Sequence, residues 1–108
     1  MSKVSSMEVS FIVGSRNANK WMDMKPTLYH KNGLPFGLIA VEQTEDGVVI
    51  NSISRNDDKF TFEMLRDLTK IIKASDRVAV ASTCKDSCIN KLMDSYHEYG
   101  KESYFTKG

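Results

Sequence analysis

Gly47-Val48-Val49-Ile50-Asn51-Ser52-Ile53-Ser54 runs into Arg55-Asn56-Asp57-Asp58-Lys59, and then into Phe60 through Ala74. Val48 to Ser54 is rich in β-branched residues and predicts a strand. In Phe60 to Ala74 the residues Met64, Leu65, Leu68, Ile71 and Ile72 recur at helical spacing, so one stripe faces a sheet. Glu63, Arg66, Asp67, Lys70 and Lys73 take the other side, acid early and base late, the order the helix dipole favours. Asp58 or Thr61 can cap this helix. A strand, a polar loop and a helix start in that order commonly hold an anion, because the first helical amides have no partner inside the helix.

The chain on either side extends this unit. Ser75-Asp76 reads as a turn, and Arg77 to Ser82 as a short apolar strand buried on both faces, with a parallel neighbour reached by the helix crossover. A second helix is predicted from about Asp86 to Tyr96, with Cys88, Ile89, Leu92 and Met93 inward. Glu102 to Lys107 follows as a last strand, with Tyr104 or Phe105 facing in. Upstream, Thr27 to His30 and Leu34 to Gln43 flank Asn32-Gly33, a strong hairpin signal because both positions tolerate positive φ. Pro35 belongs at the strand start, and Glu45-Asp46-Gly47 makes the next tight turn, completing an antiparallel meander. Met7 to Val13 alternates, with Met7, Val9, Phe11 and Val13 on one face, and predicts a half-buried strand. Ser15 can cap a short helix over Arg16 to Met24, with Ala18, Trp21 and Met22 apolar. Pro26 stops that helix, and Lys25 before it is biased to extended geometry. The expected order is β-α-β-β-β-α-β-α-β: an α/β (α+β) class with a mixed, mainly antiparallel sheet.

Length and charge narrow the classes. The 108 residues predict one domain over the whole chain, and 41% hydrophobic with 27% charged residues is an ordinary globular composition. Lys+Arg of 15 against Asp+Glu of 14 gives no overall field that attracts nucleic acid or an anionic membrane. No apolar run approaches a membrane span, and the N-terminus lacks the apolar core of a signal peptide. The two cysteines, Cys84 and Cys88, fit a reducing compartment, so a cytoplasmic location is expected.

The hairpin, the Asp-Gly turn, the long helix and the short apolar strand together resemble the GNAT acetyltransferase superfamily, over about Leu28 to Thr106. Gly33-Leu34-Pro35-Phe36-Gly37-Leu38-Ile39-Ala40 and Val78-Ala79-Val80-Ala81-Ser82-Thr83 look like that family's third and fifth strands. The N-terminal part is abbreviated, one short helix standing where the family usually has two. Small phage-encoded acetyltransferase-like proteins look similarly trimmed. The resemblance implies acetyl-CoA as cofactor, its pyrophosphate held at the loop after the fourth strand by an Arg/Gln-x-x-Gly-x-Gly/Ala motif. Here that segment is Arg55-Asn56-Asp57-Asp58-Lys59-Phe60-Thr61, which has no glycine and sets Asp57 and Asp58 where an anion would dock. Two unit charges 4 Å apart interact by ~4 kcal/mol at an effective dielectric of ~20, so these carboxylates repel a pyrophosphate. Arg55 and Lys59 partly offset them. The family's acidic tyrosine position falls on Leu92, and its asparagine on Lys85; Tyr96 substitutes only if the register slips.

These departures lead to a non-catalytic, protein-binding accessory factor on a degenerate scaffold (a pseudoenzyme), phage-encoded in flavour and acting on a host or virion protein in the host cytoplasm. The alternative is an active N-acetyltransferase, with Glu42 or an ordered water as base, Tyr96 as acid, and Arg55, Asn56, Lys59 and Phe60 at the cofactor. A surface role for Glu42 beside its turn is preferred over that of a base. Trp21 and Met22 on the short helix are candidate partner contacts, weighed against packing over the sheet edge. Arg66, Lys70 and Lys73 form a basic strip; nucleic-acid contact through it is the least favoured alternative, because Glu63 and Asp67 are interleaved. His30, His97, Cys84 and Cys88 lack the spacing of a metal site and read as ordinary surface or core residues. A free terminal strand leaves homodimerisation open.

Overall fold

The computed structural model describes residues 4–45, 47–80, 96–98 and 104–107; of Asp57, Val80 and the last two segments only the backbone is described. The elements are α1 (Ser6–Val13), α2 (Ser15–Asp23), β1 (Thr27–Lys31), β2 (Leu34–Thr44), β3 (Gly47–Ser54), a single 3-10 turn (Arg55–Asp57), α3 (Phe62–Lys73), β4 (Arg77–Val80), β5 (Tyr96–Glu98) and β6 (Tyr104–Lys107). The strands form one mixed sheet in the order β1-β2-β3-β4-β6-β5. Every pairing is antiparallel except β3 with β4, which α3 joins as a crossover. This is an α+β fold.

Local chemistry explains each turn. Asn32 (φ 54°) and Gly33 (φ 78°) both take positive φ between β1 and β2, as a tight hairpin requires. Pro35 pairs with His30 where the β1–β2 register shifts, so its missing amide falls at an irregularity in the ladder. Thr61 caps α3, its hydroxyl accepting from the Met64 amide. The first residue read as helical, Phe60, lies just before the helix and is buried.

The sheet is packed on both faces. Met64, Leu68 and Ile72 of α3 lie at i, i+4 and i+8 and press onto Ile39, Val48, Ile50 and Val78. On the opposite face Val9, Ile12, Ala18 and Trp21 of α1 and α2 cover Leu38 and Ala40 of β2. Strand β2 is therefore buried on both sides through its middle, as its run of apolar residues predicts.

Four sequence expectations are corrected. Met7 to Val13 forms a helix, not a strand: Ser5 caps it, accepting from the Met7 amide, and the buried residues Val9 and Ile12 are three apart. Two helices, not one, therefore precede the meander. Tyr96 opens strand β5 rather than ending a helix; the rest of the expected second helix, with Cys84 and Cys88, lies outside the described residues. The terminal strand is not free, because β6 pairs with β4 on one side and β5 on the other. The described sheet edges are β1 and β5; β1 is short, carries the register shift and ends on Lys31, features that discourage strand addition there.

Lys25 is the fourth correction. It is expected to be extended before Pro26, yet it adopts φ 53°, its amide donating to the Met22 carbonyl at 3.1 Å at the end of α2. A left-handed lysine costs about 1–2 kcal/mol, against about 0.5–1 kcal/mol for the extra freedom that glycine loses on folding. Lys25→Gly is therefore expected to stabilise the protein by about 0.5–1 kcal/mol. A rise in the urea midpoint checks this, and a fall would contradict it.

Candidate functional site: the loop between β3 and α3

The loop that the resemblance assigns to pyrophosphate uses its own polar groups. Beyond Ser54 the chain makes the 3-10 turn with Asn56 left-handed (φ 58°, ψ 26°), a conformation asparagine tolerates. Asp58 then returns to extended backbone, its amide donating to the Arg55 carbonyl at 3.2 Å. The Ser54 hydroxyl donates to the Asp58 carbonyl. The Lys59 amide donates to Oδ1 of Asp58 at 2.8 Å, and the Met64 amide to Oγ1 of Thr61 at 3.3 Å. Oδ2 of Asp58 faces Lys31 Nζ at 3.8 Å.

These contacts decide what the loop can bind. A pyrophosphate oxygen seeks free amides at a helix start. Here the Lys59 amide already holds a carboxylate, and that carboxylate also faces the nearest lysine of the hairpin. Arg55 is stacked on Phe11, its guanidinium carbon 4.9 Å from the ring centroid. Phe60 is turned into the core under α3, and Asn56 is exposed on the turn. In this arrangement the Asp58, Lys59 and Met64 amides are already bonded within the chain. Thr61→Ala, which removes the cap, is expected to cost about 1 kcal/mol in stability; a chemical-denaturation series reads this, and no change would contradict the capping role.

Glu42 stands elsewhere. It is exposed on β2 and lines a cleft of 290 Å³ with Asp23, Met24, Ala40, Val41 and Asn51, on the α2 side of the sheet. The structure does not bring it to Tyr96. Four strand spacings separate β2 from β5, about 19 Å at ~4.8 Å each. A base and an acid acting on one bond need to share a site a few ångströms across.

The other candidates divide by burial and partner. Trp21 is 4% exposed and faces the sheet, so it belongs to the core; Met22 is half-buried beside it. In the basic strip, Arg66 Nε lies 3.8 Å from Asp67 Oδ1, Lys73 is engaged, and Lys70 is exposed. Asp67 also accepts from the Tyr29 hydroxyl at 2.5 Å; burial, reinforced by this hydrogen bond, pushes the phenol above its ordinary range. His30 Nε2 lies 3.3 Å from Glu8 Oε2, and His97 pairs with Thr106 in the β5–β6 ladder. No group of three or more metal-ligating side chains gathers among the described residues. Nor is any described helix long and apolar enough to cross a membrane.

Exposed apolar side chains on α1 and at the start of α3 escape the sequence reading. Met7 (77% exposed) and Phe11 (49%) lie one helical turn apart on α1, and Phe62 (91%) is the first residue of α3. Strand alternation hides the first pair by placing them on a buried face. The helical reading leaves them outward, opposite the buried pair Val9 and Ile12. No family model, no curated protein and no solved structure matches this chain.

Proposed function

We propose that the protein is a non-catalytic, protein-binding accessory factor on an acetyltransferase-like scaffold, of the kind small phages encode. The strand order, with one parallel pair bridged by the long helix, supports the scaffold. The observation that carries the non-catalytic reading is the loop between β3 and α3, whose amides at Asp58, Lys59 and Met64 already bond to acceptors within the loop itself. The candidate contacts are the exposed aromatic side chains beside the two ends of that loop: Phe11, stacked by Arg55, and Phe62 at the start of α3. N-acetylation is the second reading. It is favoured by the cleft beside Glu42 and Asn51, which would receive an amine near the parallel strand pair.

Affinity capture from host lysate tests the first reading, comparing the natural chain with a Phe11→Asp/Phe62→Asp variant. A protein partner recovered by the first and lost by the second, with equal circular dichroism, is the expected result. No partner, or one that both chains recover equally, would count against it.

A further inference from the structure

We propose that the cleft between the Lys25–Thr27 segment, β2 and α3 binds a small molecule that joins an anionic group to an apolar body. The cavity has a volume of 390 Å³, within the range of small-molecule sites. Ile39, Val41 and Ile71 form its apolar wall. Val41, which also borders the neighbouring clefts, is 37% exposed overall.

The polar wall gives the sign of the ligand. Lys25 and Lys70 both line the cleft, and neither has an ion-pair partner among the described residues. The one carboxylate in the wall, Asp67, is already occupied by the Tyr29 hydroxyl at 2.5 Å and faces Arg66 at 3.8 Å. An incoming anion thus meets two lysines against one carboxylate in the wall, with Glu63 near enough to act on Tyr29 as well. The backbone at the end of α2 fixes where Lys25 stands. Lys25 lines the cleft from a left-handed conformation (φ 53°) that glycine would adopt without strain. Strain of this kind gathers at ligand sites. A bare anion uses only the lysines, and a neutral alkyl chain only the wall; a fatty carboxylate or an alkyl phosphate uses both.

Methyl NMR of the full chain titrated with octanoate, octyl phosphate, octanol and inorganic phosphate tests this. At least one of the two amphiphiles should shift the methyls of Ile39, Val41 and Ile71 in a saturable way, and which one binds tighter identifies the head group. Octanol and inorganic phosphate should bind at least about tenfold more weakly, a difference of about 1.4 kcal/mol. Lys70→Ala and Lys25→Gly should each weaken the amphiphile about fivefold or more. Because Lys25→Gly is expected to stabilise the fold, its loss of binding cannot be ascribed to unfolding. Absence of saturable shifts with both amphiphiles, octanol binding as tightly as octanoate, or affinities unmoved by both lysine substitutions would overturn the proposal.

Discussion

Gly47→Ala is expected to lower the unfolding free energy by about 4 kcal/mol, a large part of the ~5–15 kcal/mol that holds a domain of this size together. Gly47 opens β3 at φ 123°, a conformation essentially reserved for glycine. A methyl group there would stand 2.3 Å from the Arg77 carbonyl oxygen and 2.8 Å from the Arg77 Cβ. The obstacle is backbone at the start of β4, so relief requires parting the parallel strand pair. Backbone strain of about 1–3 kcal/mol and overpacking of about 1–3 kcal/mol add at this one position. Gly37 supplies the control. Its added methyl would meet the flexible thioether end of Met64 at 2.5 Å and the Ile53 carbonyl oxygen only at 3.2 Å, and its φ is ordinary. Gly37→Ala should therefore cost about 1 kcal/mol. Equal midpoints for the two variants in urea would contradict the close approach of β3 to β4.

Trp21→Ala is expected to cost about 3–5 kcal/mol, the usual range for emptying a buried aromatic site. Trp21 is 4% exposed and packs with Val9, Ile12 and Ala18 against Leu38 and Ala40. It is the chain's single tryptophan, so the fluorescence of the natural protein reports the same site and should be blue-shifted from that of free indole. A surface contact residue would instead change stability by no more than about 0.5 kcal/mol. Denaturation followed by circular dichroism separates the two. A variant as stable as the natural chain would return Trp21 to the list of partner contacts.

Much of the fold is legible in the sequence because local signals and tertiary packing agree. The Asn32-Gly33 turn, the capping Thr61 and the Met64, Leu68, Ile72 stripe each have one favourable conformation, and the sheet uses it. The first helix fails this test. Met7 to Val13 satisfies two periods at once: alternation at 7, 9, 11 and 13, and helical spacing through Val9, Ile12 and Val13. Two facts decide between them. Ser5 with Glu8 three residues on is a helix-start pattern, though Glu8 spends its carboxylate on His30. Leu38 and Ala40 also need cover on the face that α3 leaves open. The first signal lies in the sequence; the second exists only once β2 is seen to be buried on both sides.

The candidate site is legible in the same partial way. That the loop after β3 lacks glycine and carries Asp58 is plain from the sequence. That Asp58 folds back onto the Lys59 amide and faces Lys31 requires the hairpin to be in place. Lys25 defeats sequence reasoning, since a residue before proline favours extended backbone and this one is left-handed. The distance between Glu42 and Tyr96 is likewise invisible until the strand order, with β6 inserted between β4 and β5, is known.

Titration calorimetry with acetyl-CoA tests the central claim most directly, because a self-satisfied loop and a cofactor cradle make opposite predictions for one ligand. A loop that has committed the Asp58, Lys59 and Met64 amides internally predicts no heat of binding at millimolar acetyl-CoA. Saturable binding at micromolar cofactor would contradict it and make the protein an acetyl-CoA binder.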